Sequence, residues 1–364
     1  MSLKWQRFNN YATEHKKATL EQTVTAAEQK FNQASYNLGL EIRWKDFHYS
    51  GMIEPEDLYN IPQELNTPEL LSQAINLIEE ASQFSFPAVT PQTLQETKTR
   101  VDSARKEYAQ TSNPETKEQL RQALRELDMQ SRQWAKMTVD FTSLPEPEQQ
   151  AAKKLIYQVG PLVEKVYFLQ RDPKNLQYRQ DIIKNGNLKD YLHFWYSGGP
   201  WGLAVKDPVC NDKPDCRIDP LCSSHREFPA RVPNAGHWPE NITREDKEKI
   251  APNSPLLSYF VDRYYDEKGE LCWKSINDNK LYKQELQKIS SLLEEIAAIP
   301  SLNHSLKDVL QVRANEFRDT VNTTPFQSGD VHWIQSESPL DELIGFYEDY
   351  HSPFNLTAIL EQII

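Results

Sequence analysis

Residues 330–350 read DVHWIQSESPLDELIGFYEDY. Three aromatic–acidic clusters fall within these twenty-one residues, and the stretch closes on Ile344-Gly345-Phe346-Tyr347-Glu348-Asp349-Tyr350. Neither solubility nor helix formation calls for that composition. Tyr347, Glu348 and Tyr350, with Trp333 upstream, are the residues that stand out in it. The bland reading is that Tyr347 and Tyr350 pack while Glu348 and Asp349 face water. Fourteen residues follow, finishing on an apolar run, 356–364, whose spacing predicts a helix.

Working outward, the 364 residues suffice for two or three cores or one large elongated domain. Glycine is scarce at 11 residues, and its one adjacent pair is Gly198-Gly199, which argues against phosphate-cradling loops and dinucleotide fingerprints. The net charge of -12, with no Lys/Arg run against it, predicts no nucleic-acid partner and no docking on anionic membranes. No stretch approaches the ~20 apolar residues of a membrane span, and the opening MSLKWQRFNN is too polar for a secretory leader. The compartment is left open between the cytoplasm and secretion after removal of a leader, and the oligomeric state is undetermined.

The pattern is mainly α, with long helices, a helical hairpin arm and one small β-hairpin in an elongated molecule. Thr19–Tyr36 fits a polar helix, and Leu40–Ser50 an extended arm or docking segment. A capped helix starts at Thr67-Pro68. Thr93–Gln110 carries Leu94, Val101, Ala104 and Tyr108, and beyond the turn 111–114 come Leu120, Leu124, Leu127, Ser131 and Trp134 at intervals of three and four. That spacing predicts an antiparallel helical hairpin with a narrow seam. Leu144-Pro145-Glu146-Pro147 is the domain boundary, giving an N-terminal helical region, 1–145, and a second domain, 146–364. The second opens with an amphipathic helix, 148–170, kinked at Gly160-Pro161 and stopped at Asp172-Pro173. An aromatic, proline-rich irregular region then runs to Pro239. After it come a capping box at Thr243 and Asp246, a β-hairpin turning at Asp266-Glu267-Lys268-Gly269, and helices at about 277–298 and 305–319.

Motifs for chemistry are sparse. None of the eight histidines is followed by glutamate, and no two are four or five apart on a helix, so a His-Glu-x-x-His zinc helix is absent from this sequence. There is no Gly-x-Ser-x-Gly elbow and no catalytic residue to name. Cys210, Cys216, Cys222 and His225 have residue types that suit zinc, but not the spacing of a zinc knuckle. A disulfide, free structural cysteines and a metal site stay open there, and no metal ligand is assigned.

In order and spacing, Phe168-Leu169-Gln170, Gly199-Pro200-Trp201, Trp238-Pro239-Glu240, the hairpin with its two helices, Asp330-Val331-His332-Trp333 and Ile344–Tyr350 form one series. Through that series, residues 144–364 resemble dipeptidyl peptidase III and its shorter bacterial relatives, a family of zinc-dependent exopeptidases. The resemblance implies a fold and a surface for short peptides, with Tyr347, Glu348, Tyr350 and Trp333 as candidate substrate-binding residues whose hydroxyls and carboxylate would serve a peptide's amino terminus. One departure is Gly202, where family members carry an acidic residue after Gly-Pro-Trp. The family's zinc helix and second acidic ligand motif lie beyond the Tyr-Glu-x-Tyr segment, and this sequence stops before them. Zinc is expected for a complete family member, no cofactor for this chain, and no turnover from it alone. The alternative is a helical interaction or scaffold protein without catalytic activity.

Overall fold

The computed structural model describes residues 40–44, 47–49, 89–130, 137–185, 188–201, 221–222, 238–239, 241–258, 260–318, 324–348 and 358–364. The chain divides into two compact units, one of 1–90, 132–143 and 180–188, the other of 91–131, 144–179 and 189–364. The helical hairpin therefore belongs to the same unit as the segment after Leu144. The expected helices at 19–36 and from Thr67 lie outside the described residues.

In the first unit, strand β1 (Leu40–Trp44) pairs antiparallel with β2 (Phe47–Tyr49) and parallel with β3 (Met137–Asp140), Leu40 opposite Met137. The alternation of 40–50 is thus that of a paired strand.

The second unit opens with helices α1 (Pro91–Thr111) and α2 (Pro114–Gln130), the expected hairpin. Asn113 starts α2 by accepting the Thr116 N–H at 2.9 Å, with proline at the first helical position, where no N–H is needed. Val101, Leu120, Ala123 and Leu124 are buried along the seam, and Cys222 packs into the same cluster from far along the chain.

Helix α3 (Glu146–Lys154) runs through a π turn, Leu155–Val159, into α4 (Gly160–Arg171). Pro161 has no N–H to give the preceding turn, and Gly160 N–H bonds back to Leu155, five residues away. The irregularity expected at Gly160-Pro161 is therefore a π turn just before it. Helices α5 (Asn175–Asn185), of which the residues from 180 on are counted with the first unit, and α6 (Leu188–Ser197), all but its first residue in the second, follow. Gly198, at φ +64°, stops α6, and Gly199 N–H returns to the Phe194 carbonyl at 3.0 Å.

Short helix α7 (Arg244–Glu248) carries the expected capping box between Thr243 and Asp246. Strands β4 (Val261–Tyr265) and β5 (Leu271–Ser275) form the expected hairpin. Then come α8 (Lys283–Ala297), α9 (His304–Arg318) and α10 (Thr324–Ile334). Leu286, Ile289, Leu293 and Ile296 give α8 a fully buried stripe, and α8 packs on both α4 and α9. Ser290 Oγ donates to the Ala314 carbonyl at 2.7 Å, which holds α8 and α9 close.

The fold is mainly α, as expected, with one correction near its end. Strand β6 (Leu343–Glu348) pairs antiparallel with β7 (Ala358–Ile363), where the apolar run had predicted a helix. In strand geometry Ala358, Leu360 and Gln362 share one face and Ile359, Glu361 and Ile363 the other. Leu360 is fully buried while Ile363 is exposed, β7 packs on α4, and the Leu360 N–H donates to Gln170 Oε1 of α4 at 2.8 Å. Pairing with β6 and this contact with α4 decide the conformation of so short a run. Among the described residues no helix is long and apolar enough to cross a membrane.

Candidate functional site

Helix α9 has an apolar stripe of Leu306, Val309, Leu310 and Phe317, and Arg313 occupies a position on that stripe. A guanidinium there loses its water, which is costly unless anions replace it. Three elements supply the replacements. On α9 itself, Glu316 Oε2 accepts from Arg313 Nη1 at 3.0 Å. From α10, Asp330 Oδ1 accepts from Nη2 at 2.5 Å. From β6, the Tyr347 hydroxyl accepts from Nη2 at 3.2 Å and donates to Asp330 Oδ1 at 3.3 Å.

Burial opposes the charge on Arg313, but Tyr347, Glu316 and Asp330 outweigh it and hold the guanidinium more firmly protonated than usual. Burial pushes the Tyr347 phenol up, Arg313 pulls it back, and Asp330 and Glu342 push it up again. Tyr347 is thus a fixed O–H donor.

Two glycines make room for the assembly. A Cβ on Gly329 would run into the Arg313 guanidinium and stand 2.6 Å from Glu316 Oε1. With no side chain there, the Gly329 N–H reaches Glu316 Oε1 at 2.7 Å. On β6, Gly345 is two residues from Tyr347 on the same face, and a Cβ there would meet the Tyr347 hydroxyl at 3.0 Å. The ring lies across the strand in that space.

Glu342, immediately before β6, is 2% exposed, and neither of its carboxylate oxygens has a hydrogen-bond partner in the structure. Burial raises it to about 8, against a downward pull from Arg313 and with an upward push from Asp341. At neutral pH it is predominantly the uncharged acid.

The expected site residues are distributed as follows. Tyr347 is at the centre of the assembly. Glu348 ends β6 opposite Ala358, and Tyr350 lies outside the described residues. Trp333, near the end of α10, donates its indole N–H to Asp341 Oδ1 at 2.6 Å. Arg313, Glu316, Asp330 and Glu342 were not anticipated as site residues. The available signal was Arg313 itself, four residues beyond Val309 and four before Phe317 on an apolar stripe. Of the cysteine cluster, Cys210, Cys216 and His225 lie outside the described residues, while Cys222 is a buried thiol.

The guanidinium is buried and the phenol O–H is given to Asp330, so it is the half-exposed Asp330 carboxylate that the assembly presents to solvent. That arrangement suits an ammonium group. It does not suit a metal, because the Arg313 charge repels a divalent cation.

No protein-family model matches the chain, and neither does any curated protein sequence. Two solved structures are similar to it. One is DPP III from Caldithrix abyssi, 23% identical, with a TM-score of 0.46, covering 60% of this chain and 39% of that one. The other is dipeptidyl-peptidase III from Corallococcus sp. strain EGB, 21% identical, with a TM-score of 0.49, covering 62% of this chain and 40% of that one. The chain spans about two fifths of the length of either. Both are distant likenesses of fold, and neither speaks to an activity of this chain.

Proposed function

We propose that this chain is part of a zinc-exopeptidase architecture of the dipeptidyl peptidase III kind, and that it contributes a surface for extended short peptides along β6. The observation that carries this reading is the tie between the β6 side chain Tyr347 and the buried Arg313 of α9. It fixes a strand whose pairing, among the described residues, is with β7 alone.

A strand paired on one side offers backbone N–H and C=O groups to a peptide on the other, and such main-chain bonds bind extended peptides with little regard to sequence. The half-exposed carboxylate of Asp330 suits the ammonium of a free amino terminus. The family's zinc does not fit among these residues, and the chemistry proposed for them is binding and orientation of a peptide rather than its hydrolysis.

Calorimetric titration of the chain with a tetrapeptide bearing a free amino terminus, and with its N-acetylated form, tests the reading. The free peptide is expected to bind at least tenfold more tightly. Equal affinities, or none for either, would favour a helical interaction or scaffold protein instead.

A further inference from the structure

Away from β6, Asp128 of α2, His193 of α6 and Cys222 come together. Asp128 Oδ2 is 3.1 Å from His193 Nε2, Cys222 Sγ is 4.0 Å from the same nitrogen, and the three donor atoms all lie within 4.8 Å of one another. Each of the three residues is 0% exposed. In sequence they are 65 and 29 residues apart.

We propose that these three residues form a zinc site, with Asp128, His193 and Cys222 as ligands. The convergence on one nitrogen is the deciding feature. In a Cys–His–Asp proton relay the carboxylate holds one ring nitrogen while the other faces the thiol. Here carboxylate and sulfur both approach Nε2, which is the arrangement of ligands around a shared point. Tetrahedral zinc has bonds of about 2.0 Å to nitrogen and oxygen and about 2.3 Å to sulfur. Neighbouring donors then stand roughly 3.3–3.5 Å apart, so a small inward movement of Cys222 closes the set around an ion.

One thiolate, one imidazole and one carboxylate favour zinc over the oxygen-seeking magnesium and calcium. Binding displaces the Cys222 thiol proton to solvent and moves the neutral His193 ring proton from Nε2 to Nδ1, which frees Nε2 and the Asp128 carboxylate as donors, and one water completes four-coordination.

The surroundings suit a fixed site. Sulfur enters on an apolar floor of Val101, Leu120 and Leu124 in the hairpin seam. One side of α2 is already charge-matched, with Arg125 bonded to Asp190 of α6 and Arg121 to Glu118 at 2.7 Å. An ion here would staple α2, α6 and the Cys222 segment together. This set shares only Cys222 with the cysteine and histidine cluster that stands out in the sequence, and the proposal is independent of peptide binding at β6.

The test is metal analysis of the whole purified chain, followed by exchange with cobalt(II). One zinc per chain is expected to survive dialysis. The cobalt form is expected to show thiolate-to-metal absorption in the near ultraviolet, lost in Cys222→Ala and His193→Gln and retained in Cys272→Ser. Cys222→Ala puts a small apolar group on an apolar floor, and circular dichroism establishes whether it folds. X-ray absorption on the unaltered zinc protein needs no variant, and one sulfur among lighter ligands is the expected shell. No retained zinc in folded protein, a shell with no sulfur or with several, or a cobalt band that persists in Cys222→Ala would overturn the proposal.

Discussion

Arg313 Nη2 lies 3.2 Å from the Tyr347 hydroxyl, joining a buried helix face to a strand thirty-four residues further on. The two ends of this contact do not carry equal weight. Arg313 also neutralises Glu316 and Asp330, whereas Tyr347 adds one neutral hydroxyl. Tyr347→Phe is expected to cost about 1 kcal/mol of stability, the net value of a hydrogen bond. Arg313→Met leaves buried Glu316 without its cation and is expected to cost about 3–5 kcal/mol. Urea denaturation of both variants measures the difference, and similar losses would show that the guanidinium is not the hub.

Gly329 and Gly160 should respond unequally to the same change. A Cβ on Gly329 collides with a guanidinium held by two carboxylates, and Gly329→Ala is expected to destabilise by about 1–3 kcal/mol. At Gly160, in helical conformation, the nearest atoms to a Cβ beyond its chain neighbours are at 3.6 Å, an ordinary contact. Gly160→Ala should destabilise only mildly, because alanine's gain in helix propensity is offset by the clash of its Cβ with the Pro161 ring in helical conformation. Thermal melts of the pair decide this.

Glu342 gives stability an unusual pH dependence. Its folded value, raised by burial to about 8, lies above the ordinary 4.5 of the unfolded chain. Between those values the folded protein keeps a proton that the unfolded chain releases, so stability falls as pH rises from about 4.5 to about 8. Above that window the contribution levels off. Glu342→Gln cannot ionise and should flatten this slope, gaining relative to the unaltered chain at pH 8 more than at pH 5. Denaturation midpoints across that range measure it, and parallel slopes would place Glu342 in contact with water.

Local patterns carried much of the fold. Val101 and Tyr108 against Leu120, Leu124 and Leu127 repeat at three and four residues, and that alone describes the α1–α2 hairpin. The β4–β5 hairpin was legible because Asp266 and Gly269 mark its turn, with Asp266 accepting the Glu270 N–H at 2.8 Å. Strand β7 was not. Leu360 and Ile364 are four apart as in a helix, yet the Ile359, Glu361 and Ile363 alternation fits a strand equally well. The choice falls to β6 and Gln170, distant in sequence.

The candidate site was half legible for the same reason. Tyr347 stood out by composition, but its partners come from α9 and α10 and no motif binds them to it. Asp128, His193 and Cys222 share no spacing signature at all, because separate elements fold them together.

The most direct test of the β6 account is backbone amide exchange of the chain, resolved by residue, with and without a tetrapeptide bearing a free amino terminus. Binding is predicted to slow the alternate β6 amides that do not bond to β7, and Tyr347→Phe is predicted to weaken that protection. Unchanged exchange along 343–348 under saturating peptide would contradict the account.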